Sequence, residues 1–440
     1  MVSLFSGRHH SSGPRVPMNE KLLQYIWQNR YYRKGSLFTT DLQEIDILFP
    51  GSLNLNQGPD FQDARIRMGG TTWVGHVELH VKSSDWNLHG HSDDLLYGNV
   101  ILHVVWLHDK NLPLPFPTLE LHGIVPKILL KQYDQLMQSG RFIPCEKLLP
   151  GIEPLILAGW KEKLLLERLQ NKAWLIDRSL QKNRYHWEES FWHFLARNFG
   201  YPVNQDLFLA VAESIPVKWL SKYKKQPVVI EALLLGQAGL LGKTYADEYP
   251  NLLQREYRFL QKKYGLSPVY WPVQFLRMRP ANFPTIRLAQ LAALVHRSSH
   301  LFSVIRDTET VGDARKLFRV SAHAYWSNHY LPDQTATHSQ KILGALMADN
   351  ILINTIIPFL FTYGWHNRQD QLVERSIRWL KEMPAEKNRI LRGFESVGMQ
   401  IAHAADSQSL LFLKKNYCDQ KRCLQCEVGK KLLKVDCLSS

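Results

Sequence analysis

Between residues 56 and 81 the chain alternates apolar and polar side chains on both sides of a double glycine, and no other stretch restricts its fold so tightly. Ala64, Ile66 and Met68 alternate with Arg65 and Arg67, Gly69-Gly70 follow, and the alternation resumes from Trp73 to Val81. Period-two patterning around residues that tolerate positive φ predicts an antiparallel hairpin. Asp60 stands at the start of the first strand. Glu78 and His80 are two apart on the second, so they share a face. Two carboxylates and an imidazole are thereby expected on one strand pair.

Those three residues outline a divalent-metal site. Hard cations take carboxylate oxygens, so Asp60 and Glu78 are expected to hold Mg²⁺ or Mn²⁺. His80 would orient or deprotonate the attacking water, or face the phosphate when charged. Lys82 lies on the same strand face. The plainer alternative has Asp60 capping a turn and Glu78 and His80 facing solvent. His89 and His91 follow closely, and a His-x-His pair either binds a transition metal such as Zn²⁺ or Mn²⁺ or forms a polar loop. A short helix over Ser92 to Gly98 would aim Asp94 and Tyr97 at the same cleft, while His103 is read as a satisfied strand residue.

Pro59-Asp60, the hairpin, Glu78-Leu79-His80, a polar segment and the apolar strand Val100 to Trp106 together resemble the core of the PD-(D/E)XK nuclease superfamily. The resemblance implies metal-assisted phosphodiester hydrolysis. His80 departs from it, standing where the superfamily usually has lysine. Either His80 substitutes, Lys82 reaches in from the same face, or activity is altered or lost. A second resemblance covers nearly the whole chain. Asn56 to Phe61, Gly75 to His80, Asp85-Trp86 with His89 and His91, Asn99 to Val105, Arg279 to Arg287, and Tyr417 to Cys426 are together similar to a bacterial family of unknown function, number 2851. No activity comes with that family, so the chemistry rests on residues.

At 440 residues and 45% hydrophobic, the chain has enough apolar surface for two or three domains. Met1 to Pro17 is polar and lacks the apolar stretch of a secretory signal, which predicts a disordered extension. No apolar run reaches the roughly 18 residues of a membrane span, so a cytoplasmic protein without a membrane partner is expected. From Met18 to residue 150, short alternating segments broken by Gly, Pro and Asn predict an α+β, mixed-sheet, nuclease-like domain. After Pro154 the period becomes helical: Trp160, Leu164, Leu165, Leu169, Ala173, Leu175 and Ile176 form a stripe. Residues 151–440 are therefore expected to form an all-helical domain ending in a Cys-rich segment.

The formal charge of +14 and a pI near 9.4 favour polyanionic partners, nucleic acid and above all DNA. Lys222 to Lys225 and Lys262-Lys263 are basic clusters interleaved with Tyr223 and Tyr264, a combination suited to phosphates and stacked bases. Such runs otherwise form solvated helix faces. Arg277, Arg279 and Arg287, around two prolines, offer planar donors for phosphate or for buried carboxylates.

Cys418-x4-Cys423-x2-Cys426 places three thiols close together in a chain without a secretory signal, which argues for metal and against disulfides. Cys145 is the preferred fourth ligand, because a link from Phe142-Ile-Pro-Cys145 to the C-terminus would fasten the two domains; Cys437 and His403 are alternatives. Zn²⁺ and a [4Fe–4S] cluster both accept four thiolates, and zinc is preferred. Some PD-(D/E)XK nucleases of recombination and CRISPR adaptation carry one upstream and three C-terminal cysteines around an iron–sulfur cluster, a similar arrangement. Here, however, all nuclease-like motifs precede Cys145. The expected function is a metal-dependent nuclease, endo- or exonucleolytic, acting on DNA. An inactive nucleic-acid-binding relative is one alternative, and a zinc-dependent hydrolase of a small molecule using His80, His89 and His91 is another.

Overall fold

The structure, a computed structural model, describes residues 18–434 except 34, 92, 93 and 299. The expected N-terminal extension and Cys437 lie outside the described residues. The chain divides into two compact units, one running to Trp160 and resuming at Leu413, the other spanning Lys161–Phe412.

The first unit opens with helix α1 (Glu20–Asn29), capped by the Asn19 carboxamide, which accepts from the Leu22 N–H at 3.0 Å. Its apolar stripe Leu22, Leu23, Ile26 and Trp27 is wholly buried. Strands β1 (Leu37–Phe38), β2 (Glu44–Phe49), β3 (Ser52–Leu53), β4 (Phe61–Met68) and β5 (Thr71–Lys82) follow, then the short helix α2 (Asp85–Leu88). Strands β6 (Val100–Leu107) and β7 (Thr118–Glu120) and helix α3 (Lys127–Gln138) complete this part. The sheet order is β1-β2-β4-β5-β6-β7, with β3 also pairing with β4.

β4 and β5 form the expected antiparallel hairpin, Met68 opposite Thr71. Gly69 and Gly70 turn it with φ of +53° and +82°, conformations that a β-carbon would strain. β6 and β7 then run parallel to β5, giving a mixed sheet. β6 is buried from Val100 to Val105, as a strand covered on both faces must be. A bulge in β4 between Phe61 and Ala64, with Asp63 at φ +57°, lies beside Asp60.

The second unit is helical, as expected, and carries one short antiparallel ribbon, His329–Leu331 with Gln334–Thr335. Pro332 and Asp333, the latter at φ +60°, form the turn that joins its two strands. Leu165, Leu169, Ala173, Ile176 and Leu180 of the helix Pro154–Lys182 enter its core, whereas Leu175 is exposed. The helical run Ala345–His366 is long and apolar enough to cross a membrane by length and composition, and 67% of its apolar window is buried within the protein. Ile351, Ile353, Ile356, Ile357, Phe359 and Leu360 are core residues of this unit.

The boundary also differs from the expectation that residues 151–440 form one domain. The change of period marks where long helices begin, but the chain divides at Trp160, and residues 413–434 belong to the first unit. Cys423 and Leu433 are buried in that unit's core beside Leu129, Tyr133 and Leu136. An apolar pattern shows that a helix is buried and leaves open which core buries it.

Candidate metal centre

Hairpin geometry brings Asp60 and Glu78 together. The Asp60 N–H donates to Glu78 Oε2 at 2.9 Å, and the Leu79 N–H donates to Asp60 Oδ2 at 3.2 Å. The remaining Asp60 oxygen accepts from Gln24 Nε2 of α1 at 2.8 Å. Burial raises both carboxyl groups above the ordinary range. The Asp60 charge raises Glu78 further, and Glu20, in the first turn of α1, pushes both upward. Such crowded carboxylates favour a cation between or beside them. Sequence reading missed Glu20 and Gln24, whose only signal is their spacing of four on the flank of an apolar stripe.

His80 is fully buried and is held from two sides. Its Nδ1 lies 2.9 Å from His103 Nε2 and its Nε2 lies 3.2 Å from His89 Nδ1. Glu78 Oε1 lies 3.7 Å from His80 Nε2 and 3.5 Å from His91 Nε2. If His80 donates through Nδ1 to His103, its Nε2 lone pair faces His89 and Glu78, the tautomer that a metal ligand needs. Burial, then the neighbouring His103, His89 and His91, depress the His80 pKa to about 2. A group that stays neutral is poorly suited to replace a lysine cation.

One potential ligand atom each from His80, His89 and His91 lie within 4.8 Å of one another, the one such set among the described residues. Three imidazoles with Glu78 beside them suit Zn²⁺, Mn²⁺ or Fe²⁺ better than Mg²⁺, because nitrogen donors select transition metals. The His91 Nε2 is buried without a hydrogen-bond partner, as a donor atom kept for a ligand would be. The Tyr97 ring stacks on His91 at 3.9 Å, and Asp94 caps the turn Leu95–Tyr97 by accepting from the Leu96 N–H at 2.9 Å. Lys82 is exposed at the end of β5 and makes no described contact with the carboxylates. His103, expected to be satisfied, has a buried Nδ1 with no partner. It backs His80 where a purely structural strand residue was expected.

The cysteines form a second group inside the same unit. The thiols of Cys145, Cys418, Cys423 and Cys426 are raised chiefly by burial, Cys145 and Cys423 to about 12. Charge interactions link each of them to others in the group. The Gly429 and Val428 N–H groups point at Cys426 sulfur and favour its thiolate. A Cβ on Gly429 would strike the Cys423 carbonyl, so only glycine lets this helix start pack so closely on the cysteine turn. The four thiols are near enough to interact, but no three of their sulfur atoms lie within 4.8 Å of one another, so it is their grouping alone that suggests a four-thiolate centre, Zn²⁺ or [4Fe–4S]. All four cysteines lie in the first unit, so the expectation that they fasten two domains does not hold. His403, the alternative ligand, belongs to the second unit and bonds the Asp406 N–H at 3.2 Å.

Of the basic residues, Arg277 and Arg279 are exposed. Arg287 instead turns inward to Gln290 Oε1 at 3.1 Å and Asn282 Oδ1 at 2.6 Å, which corrects its expected place on a nucleic-acid surface. Its partners are neutral amides, and burial lowers its pKa to about 10. Lys222 and Lys263 converge on a tyrosine pair, Tyr223 and Tyr264, whose hydroxyls are 2.9 Å apart. A groove of about 1000 Å³ lies along the outer end of the hairpin and Phe116, and its lining includes none of the carboxylates or imidazoles above.

The model of the family described as "Protein of unknown function (DUF2851)" matches residues 20–389, and the chain belongs to that family. No curated protein and no solved structure matches it.

Proposed function

We propose that this member of the family hydrolyses phosphodiester bonds in nucleic acid, with DNA the first candidate, at a divalent transition-metal centre held by Glu78, His80, His89 and His91 beside Asp60. The observation that carries the reading is the pair of half-buried Asp60 and buried Glu78 on a hairpin whose second strand runs parallel to the next one, with three imidazoles beside the same site. Bound there, the ion supplies Lewis acidity and positive charge for a phosphate. Gln24 and Leu79 hold the Asp60 carboxylate, His103 fixes the His80 ring, and Tyr97 covers His91. Exposed Arg277 and Arg279, the Lys222–Lys263 tyrosine cluster and the +14 charge support affinity for a polyanion. The cysteine centre, with zinc or [4Fe–4S], has a structural role in this reading.

The test is incubation of the purified full chain with single- and double-stranded DNA and Mg²⁺, Mn²⁺ or Zn²⁺ in turn. Cleavage with Mn²⁺ or Zn²⁺ exceeding that with Mg²⁺ is expected. Tight binding of Zn²⁺ with no cleavage of any nucleic acid would favour a second reading, a zinc-dependent hydrolase of a small molecule, which the three-histidine set independently supports.

A further inference from the structure

The second unit contains a cleft of about 510 Å³, lined by both polar and apolar side chains, that none of the chemistry above uses. Its volume falls in the range of small-ligand sites, roughly 300–1,000 Å³. One wall comes from an otherwise apolar helical run. Pro358 has no N–H to give the Asn354 carbonyl, and the chain widens into a π-turn over Leu352–Ile356. Asn350, just before this widening, and Asn354, within it, both line the cleft.

The hydrogen bonding of these two amides is directional. Arg168, 6% exposed, donates through Nη2 to Asn354 Oδ1 at 3.0 Å. A guanidinium can only donate, so the carboxamide is oriented with its oxygen toward Arg168 and its NH₂ away from it. Asn350 Oδ1 is buried with no hydrogen-bond partner. Asn198 does not satisfy it, since its own NH₂ is turned to the Asn350 backbone carbonyl at 3.4 Å and Thr355 Oγ1 at 3.1 Å. The wall therefore offers a donor and an acceptor about one turn apart, the pattern that the edge of a nucleobase complements. Phe194 and Tyr201 line the same cleft and provide rings for a base face. Lys172, Arg197 and Arg389 bring three positive charges to a lining that carries one acid, Glu386, and Arg197 and Arg389 are exposed.

We propose that this cleft binds a nucleoside monophosphate, its base on the Asn350–Asn354 wall and its phosphate among Lys172, Arg197 and Arg389. The site stands on the cleft alone and does not depend on the hydrolase reading. The nucleotide comes either free or as one unit of a strand, because both present the same base and phosphate.

Calorimetric titration of the full chain with AMP, CMP, GMP and UMP, with inorganic phosphate as control, tests it. Saturable binding of at least one nucleotide, tighter than phosphate, is expected. Asn350→Ala, which deletes an unpaired acceptor without breaking the Arg168 bond, should weaken binding about tenfold, close to 1.4 kcal/mol. Arg197→Gln should weaken it as well, and the Glu78→Gln variant should bind as the parent does. Binding of no nucleotide at millimolar concentration, binding unaffected by Asn350→Ala, or loss with Glu78→Gln would each overturn the proposal. A 5′-phosphorylated dinucleotide that binds more tightly than the mononucleotide identifies a strand as the source, and one that binds less tightly identifies free nucleotide.

Discussion

Asp60 and Glu78 hold each other through the backbone: the Asp60 N–H donates to the Glu78 carboxylate, while the Asp60 carboxylate accepts from the residue after Glu78, Leu79. The two acidic groups therefore stay within one site even though burial and mutual charge oppose their ionisation. A divalent cation relieves that opposition.

Replacing either carboxylate by its amide removes charge with little change in volume. Asp60→Asn and Glu78→Gln are each expected to lower metal-dependent cleavage about a hundredfold or more while leaving circular dichroism unchanged. Parental rates in both variants would remove these residues from the site.

His80 provides a pH test. Its folded-state pKa is depressed, so it binds protons less readily folded than unfolded. Its contribution to stability is thus fully present above about 6.5, the free value, and is lost as pH falls from there toward about 2. In metal-free protein, the His80 imidazole signals should not titrate between about pH 5 and 8. An inflection near 6.5 would restore the cation role. In line with neutrality, His80→Lys should lose most cleavage and His80→Ala all of it.

Among the proposed ligands, His103 has a described side-chain hydrogen bond to His80 alone and should matter through it. His103→Phe is expected to weaken Mn²⁺ or Zn²⁺ binding about tenfold to a hundredfold, by freeing the His80 ring to turn. Equilibrium dialysis measures this directly, and parental affinity would make His103 a packing residue.

For the cysteines, protein purified anaerobically should carry about one equivalent of zinc or a brown iron–sulfur chromophore. Cys423→Ser should release it and lower the melting temperature of the first unit by several degrees. Elemental analysis showing neither metal in the parent would leave the four thiols as core residues.

DNA binding should lack sequence preference and weaken more than about tenfold between roughly 50 and 200 mM salt, through counterion release. Fluorescence anisotropy that stays flat over that range would exclude a phosphate-dominated mode. Arg277→Gln with Arg279→Gln should reduce the salt slope, whereas Arg287→Gln should act on stability, since that side chain is engaged with Asn282 and Gln290.

The hairpin was legible because its information is local. Alternation, two glycines and the spacing of Glu78 and His80 determine strand, turn and face without reference to any distant residue. Glu20 and Gln24 were not legible, because polar residues on a helix flank read alike whether they meet water or a carboxylate. His103 was misread for a related reason: its pairing with His80 depends on parallel register, Glu78 opposite His103, which no local pattern specifies. The turn of Arg287 toward Asn282 likewise follows from the path of the chain between Pro280 and Pro284, and charge alone gives no hint of it.

Residues 413–434 belong to the first unit although some 250 residues of the second stand between them and Trp160. The second unit is in effect an insertion within the first. Its core is built from one continuous stretch of chain, whereas the metal-site unit joins two stretches and is incomplete without residues 413–434. A stop codon before residue 413 would therefore leave the hairpin with its carboxylates and imidazoles intact in sequence, yet deprive α3 of the cover that Cys423 and Leu433 provide.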